Sequence, residues 1–116
     1  FVDAEKYLLE CLEIWRNQLD GESHSEIANC YYSLGQVERK QGKLEKAKAN
    51  LEKALEIYKE IYGKNHVEVA HSLINLGNVE YDNKNYNAAK KLYLESLNIK
   101  NANLWSHRSR NVEDLQ

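Results

Sequence analysis

Residues 24–58, HSEIANCYYSLGQVERKQGKLEKAKANLEKALEIY, return as residues 66–100, HVEVAHSLINLGNVEYDNKNYNAAKKLYLESLNIK, at an offset of 42. Over these 35 aligned pairs 11 residues are identical, among them His24/His66, the Leu-Gly pairs at Leu34 and Leu76, Ala47/Ala89 and Leu55/Leu97. The substitutions keep character, as in Ile27 for Val69 and Leu51 for Tyr93. A partial third copy precedes them: AEKYLLECLEIW from Ala4 matches AKANLEKALEIY from Ala47 at an offset of 43. One extra residue between Ile14 and Leu19 restores 42 by Gly21, which pairs with Gly63. A period of this length marks one supersecondary unit that cannot bury its apolar face alone and must stack on its neighbours. The chain therefore divides, within one domain, into a partial unit 1–22, a unit 23–64, a unit 65–102 and a non-repeat segment 103–116.

The periodicity inside each unit is helical. Proline is absent from the 116 residues, and apolar side chains recur three and four apart with no strand-like alternation. The spacing predicts a helix A over about residues 25–41 and 67–84, with the stripe Ile27, Ala28, Tyr31, Leu34, Gly35 repeated as Val69, Ala70, Leu73, Leu76, Gly77. A helix B is predicted over about 45–62 and 87–102, with Ala47, Leu51, Ala54, Leu55 and Ile57 inward, repeated as Ala89, Tyr93, Ser96, Leu97 and Ile99. Gly35 and Gly77 sit mid-helix, where glycine costs about 1 kcal/mol against alanine, so a neighbouring helix backbone is expected to approach there. Gly42, Lys84-Asn85 and Gly63 end helices. Loops this short force antiparallel neighbours. The fold class is all-α: a right-handed superhelical stack of antiparallel helical hairpins.

HVEVAH, residues 66–71, superficially suggests a zinc protease motif. His66 and His71 are five apart, however, and diverge by roughly 140° around a helix, too far to share one ion. Because His66 aligns with His24 but His71 with Asn29, the recurring feature is a helix start. Ser23 with Glu26, and Asn65 with Glu68, fit capping boxes. No nucleophile–base set and no glycine-rich phosphate loop is present, so neither catalysis nor a cofactor or metal is expected. Sixteen basic against eighteen acidic side chains, net −2, do not mark a nucleic-acid binder, and no apolar run reaches membrane-spanning length. Cys11 and Cys30 read as small apolar helix residues in a protein of intracellular, cytoplasmic setting. Glu38 and Glu80 recur near the buried side, where an ion pair with the recurring Lys48 and Lys90 is expected.

The residues Leu73, Leu76, Gly77, Ala89, Tyr93 and Leu97, and again Tyr31, Leu34, Gly35, Ala47, Leu51, Ala54 and Leu55, resemble the tetratricopeptide repeat signature over roughly residues 4–100. The 42-residue unit with its Gly-x-x-His turn is most similar to the kinesin light chain subgroup. Glu38 and Glu80 depart from it where an aromatic is common, and Ser96 replaces an alanine. The resemblance implies a protein–protein interaction scaffold that takes a peptide or partner segment in a concave groove lined by the A helices. The candidate groove residues are Asn29, Tyr32, Ser33, Gln36, Arg39 and Lys40 in one unit and His71, Ile74, Asn75, Asn78, Tyr81 and Asp82 in the next. Asn75 and Asn78 suit a peptide backbone, because a carboxamide both donates and accepts; by resemblance they form part of an asparagine ladder. Tyr32, Ile74 and Tyr81 suit an apolar anchor, while Arg39 and Lys40 would steer an acidic flank. The bland reading of the same positions is an ordinary solvated helix face. Alternatives are an RNA-binding helical repeat and a sensor segment of a larger signalling protein.

At the ends, a chain opening on Phe1 is expected to be part of a longer array. The first helix B lacks its helix A, so Ala4, Leu8, Cys11 and Leu12 should be partly uncovered, with self-association one way to cover them. Beyond Asn101 the repeat fades into a polar terminal helix or loose tail, with Trp105 over the last hairpin.

Overall fold

The computed structural model describes residues 2–18 and 24–115, with side chains described over 4–14 and 25–103. Among these residues there are five helices and no strand: α1 Val2–Gln18, α2 His24–Lys40, α3 Leu44–Tyr62, α4 Val67–Asp82 and α5 Tyr86–Leu115. Helices A are α2 and α4; helices B are α1, α3 and α5. Each helix packs on the next in sequence. The one further close backbone approach among the described helices joins α2 to α4, whereas the backbones of the B helices stay farther apart. The A helices are thus the closer set, and the stack curves with α2 and α4 on its inner side.

The repeat dictates the core. Ile27, Ala28, Tyr31 and Leu34 of α2 are buried, as are their counterparts Val69, Ala70, Leu73 and Leu76 of α4. Ala47, Leu51 and Ala54 of α3 are fully buried. Their spacing of four and three runs on to Tyr58, which is also buried, while the expected Ile57 lies one step around the helix at the edge. In α5 the counterparts Ala89 and Ser96 are buried and Tyr93 is half-buried, but Lys100 in the place of Tyr58 is exposed and Ile99, the counterpart of Ile57, is the residue that turns inward. Leu97 departs from expectation and is exposed, for its counterpart Leu55 is sheltered by the following unit. In α1 Leu12 is buried and Leu8 and Cys11 are half-buried, but Tyr7, Leu9 and Ile14 face outward. Cys30 lies in the same seam beside Cys11, and burial pushes its thiol up to about 11, so it behaves as an apolar packing group.

Both hairpins close with the same motif. Gly42 has φ +81°; its N–H bonds to the Arg39 carbonyl and the Lys43 N–H to the Glu38 carbonyl at 2.9 Å. Lys84 has φ +66°, with its N–H on the Tyr81 carbonyl and the Asn85 N–H on the Glu80 carbonyl at 2.8 Å. This six-to-one, five-to-two pair is a Schellman cap. Lys43 and Asn85 then accept, through their carbonyls, the first bonds of α3 and α5, so each turn is as short as two antiparallel helices permit.

Two details differ from the sequence reading. α4 starts from His66, not from an Asn65 capping box: the His66 Nδ1 accepts the Glu68 N–H at 3.0 Å. Its ring stacks on Tyr62 at 4.2 Å, which holds the cap in place. The matching Ser23 box lies outside the described residues. α5 does not stop near residue 102 but continues as one helix to Leu115, so 103–116 opens with no break from the last unit. The packing of Trp105 lies outside the described side chains.

The mid-helix glycines make room first for a side chain of the neighbouring helix, not for its backbone as expected; only at Gly35 does a backbone atom, the Ala47 carbonyl oxygen, come third. A methyl group at Gly35 would stand 2.6 Å from Leu51 Cγ and 3.2 Å from the Ala47 carbonyl; at Gly77 it would stand 2.6 Å from Tyr93 Cε1. Leu51 is enclosed, whereas the half-buried Tyr93 ring has room to swing. Gly35→Ala should therefore lower stability by about 2 kcal/mol in urea unfolding despite its better helix propensity, and Gly77→Ala by less. Lys84→Gly should raise stability by up to about 1 kcal/mol, because it relieves a left-handed backbone that costs a side chain about 1–2 kcal/mol.

Candidate functional site

The inner surface is built from the outward positions of α2 and α4, and much of its polarity is already paired. Asn75 donates to the Tyr32 hydroxyl at 2.6 Å and to the His71 carbonyl at 2.9 Å, and accepts from Gln36 at 3.4 Å. Arg39 donates to both oxygens of Asp82, at 2.6 and 3.3 Å. Thus α2 and α4 are laced by contacts set by the repeat: Tyr32 and Arg39 each reach one position past their own counterparts in the following unit, and Gln36 joins Tyr32 on the same Asn75. Asn78 accepts the Tyr93 hydroxyl at 2.6 Å, and Asn29 accepts the Tyr58 hydroxyl. Burial raises the pKa of Tyr32 and Tyr58, so both phenols stay protonated, Tyr58 as the donor to Asn29 and Tyr32 as the acceptor from Asn75.

The expected groove residues therefore separate into groups. Tyr32, Gln36, Asn75 and the half-buried His71 cluster at the α2–α4 seam. Ser33, Ile74 and Asn78 lie half-buried along the same helices, and Asn29 and Lys40 are exposed. Arg39 and Asp82 neutralise each other, so the basic flank expected of Arg39 and Lys40 reduces to Lys40. Tyr81 lies at the end of α4 against Tyr86, ring centroids 5.2 Å apart, facing the outer end of the stack. Sequence reasoning missed Tyr58 and Tyr93, whose hydroxyls orient Asn29 and Asn78. The available signal was a tyrosine on the buried stripe of helix B, one end apolar and the other needing a polar partner.

The two recurring glutamates find different partners. Glu80, 5% exposed, accepts from Asn85 at 2.9 Å and pairs with Lys48 at 3.1 Å. The expected ion pair thus forms for Glu80 alone, with Lys48 of the preceding unit. Glu38 accepts instead from Asn50 at 2.5 Å. The residue of α1 that aligns with Lys48 is Glu5, which bridges to Lys43 at 3.1 Å and offers Glu38 no cation. Lys90 is exposed. Among the described residues no three His, Cys, Asp or Glu side chains converge as a metal site would require, and no helix is long and apolar enough to cross a membrane.

The helices A and B of each hairpin meet at a glycine and join through a Schellman turn, and the tetratricopeptide repeat family model matches the sequence over residues 1–60 and 26–102. The chain belongs to the tetratricopeptide repeat family. A search of curated proteins found no match. Tetratricopeptide repeats are non-catalytic scaffolds that in general mediate protein–protein interaction, and the paired, rigid inner face suits that role.

The Asn85 hydrogen bond, with Lys48 beside it, holds the Glu80 carboxyl below its ordinary 4.5. A lowered folded value contributes stability above the unfolded value and loses it as pH falls through the folded one. Lys48, raised by Glu80 from 10.5, loses its share only as pH rises past that range. The stability difference between the native chain and Glu80→Gln should accordingly be constant near neutral pH and shrink below about 4.5, as read by urea midpoints across pH.

Proposed function

We propose that the inner surface of α2 and α4 receives an extended segment of a partner protein. The carrying observation is the direct α2–α4 seam, in which Asn75 holds Tyr32 and Gln36 in fixed positions. Pre-ordered side chains lose little entropy on binding, which favours affinity for a flexible peptide. Asn75 acts here mainly as a brace. Ser33, Ile74, Asn78 and Lys40 are the positions offered to a ligand, with Asn78 oriented by Tyr93 so that its amide donors face a backbone carbonyl. Lys40 favours an acidic residue at the α2 end.

The 42-residue period and the Gly63–His66 turn support a place among kinesin-light-chain-like repeats, in a cytoplasmic adaptor. Cancellation of Arg39 by Asp82 leaves the surface with no row of cations along a phosphate backbone, which weighs against the RNA-binding alternative.

Selection of a displayed random-peptide library on the full chain tests this reading. Enriched peptides should bind saturably and compete with one another. Asn78→Ala and Ile74→Ser should each weaken them by about tenfold, with the variant chains still folded by circular dichroism and only a small fall in the unfolding midpoint from the freed Tyr93 hydroxyl and the lost Ile74 packing. Asn75→Ala should lower both binding and stability, because it unties Tyr32 and Gln36. Peptides that bind the Asn78 and Ile74 variants as well as the native chain would place the ligand elsewhere.

A further inference from the structure

The sequence has two cysteines, and the fold brings them together. Cys11 of α1 and Cys30 of α2 share one apolar cluster with Leu12, Ile27 and Tyr31, and the Cys30 thiol interacts directly with that of Cys11. One period later the same two places hold Ala54 on α3 and Ser72 on α4, neither with measurable exposure. Small side chains at both places let the two helix backbones come close. A disulfide needs Cβ atoms about 3.5–4.5 Å apart, a separation that helices reach where small residues meet. The place is also dry, for the buried Ser72 hydroxyl has no hydrogen-bond partner among the described residues. In the α1–α2 seam each thiol therefore has the other as its polar neighbour. The pair lies inside a seam between two described helices, so its geometry is independent of any chain beyond residues 1 and 116.

We infer that Cys11 and Cys30 form a redox site, in which a small disulfide such as oxidised glutathione converts the two thiols into an intramolecular bond that clasps α1 to α2. The Cys11 thiolate attacks one sulfur of the small disulfide and expels the other half as a thiolate. Cys30 then attacks the Cys11 sulfur of the mixed disulfide, expels the second half, and gives its proton to that leaving thiolate. Two protein thiols are oxidised, one external disulfide is reduced to two thiols, and no other reactant is consumed. Burial pushes the Cys30 thiol up to about 11, so it stays protonated at neutral pH and the first attack falls to Cys11. In the reduced chain both sulfurs pack as apolar groups. Once joined, they close the chain between them into a loop and limit the opening of α1 away from α2. This site is separate from the inner surface and does not depend on the groove reading.

The test equilibrates the full chain with mixtures of reduced and oxidised glutathione, once folded and once in urea, followed by alkylation and trypsin digestion. The disulfide should join peptides 7–16 and 17–39 of one molecule. The folded pair should reach half-oxidation at a glutathione ratio at least about tenfold more reducing than the unfolded pair. Amides of α1 should exchange at least about tenfold more slowly in the oxidised chain than in the reduced one. Cys11→Ala and Cys30→Ser install the residues that the next unit carries at these places, so both variants should fold, as read by circular dichroism, and show neither effect. Half-oxidation of the folded pair at the same or a more oxidising ratio than in urea would overturn the inference, because the seam would then hold the sulfurs away from bonding geometry. Oxidation that stops at a glutathione adduct on Cys11, or that joins two molecules instead of closing within one, would also contradict it.

Discussion

A hairpin of two helices with one apolar stripe on each cannot close its own core, and everything else in this molecule follows from that. The A helices carry the widest stripes and so must lie between two B helices. Helix α2 sits between α1 and α3, and α4 between α3 and α5. Ala28, Ala54, Ala70 and Ala47 have no measurable exposure, and these small residues let the helices approach closely enough for Leu51 to fill the notch at Gly35. The glycine is destabilising in isolation and required in context, because its missing methyl is where the neighbour's side chain goes.

Stacking at a fixed period has a second consequence. Polar groups on the A helices meet partners one unit ahead, so Arg39–Asp82 and Tyr32–Asn75 are both 43 residues apart. These exposed or half-buried contacts add little stability singly, but they set the angle between successive A helices and hence the shape of the inner surface. The inter-unit Lys48–Glu80 pair does the same on the side of the B helices. Function in such a molecule is a matter of which side chains remain after the stack has satisfied itself.

The fold was legible because its cause is periodic: the 42-residue offset, the stripes and the hairpin turns are all properties of single sequence positions. The site was only partly legible. That Asn75 and Asn78 share a helix face follows from their spacing. That Asn75 is already bonded to Tyr32 and Gln36 depends on the rotation between α2 and α4, which no spacing within one helix records. Glu38 and Glu80 make the same point. They recur at the same register, yet one meets an asparagine and the other a lysine, since the helix behind each differs at Glu5 and Lys48. His66 acts as the cap in place of Asn65 because its ring is held by Tyr62, a contact across the turn between units.

Native-state hydrogen exchange read helix by helix addresses the central claim directly, because protection reports how far each helix depends on neighbours on both sides. With stability residing in the seams between units, amides of α3 and α4 should be the slowest to exchange, and protection should fall toward α1 and toward the far end of α5. Leu76→Ala should speed exchange in α3 as well as in α4. Protection of α1 equal to that of α4, or a Leu76→Ala effect confined to the α4–α5 hairpin, would show that the hairpins stand alone and contradict the account.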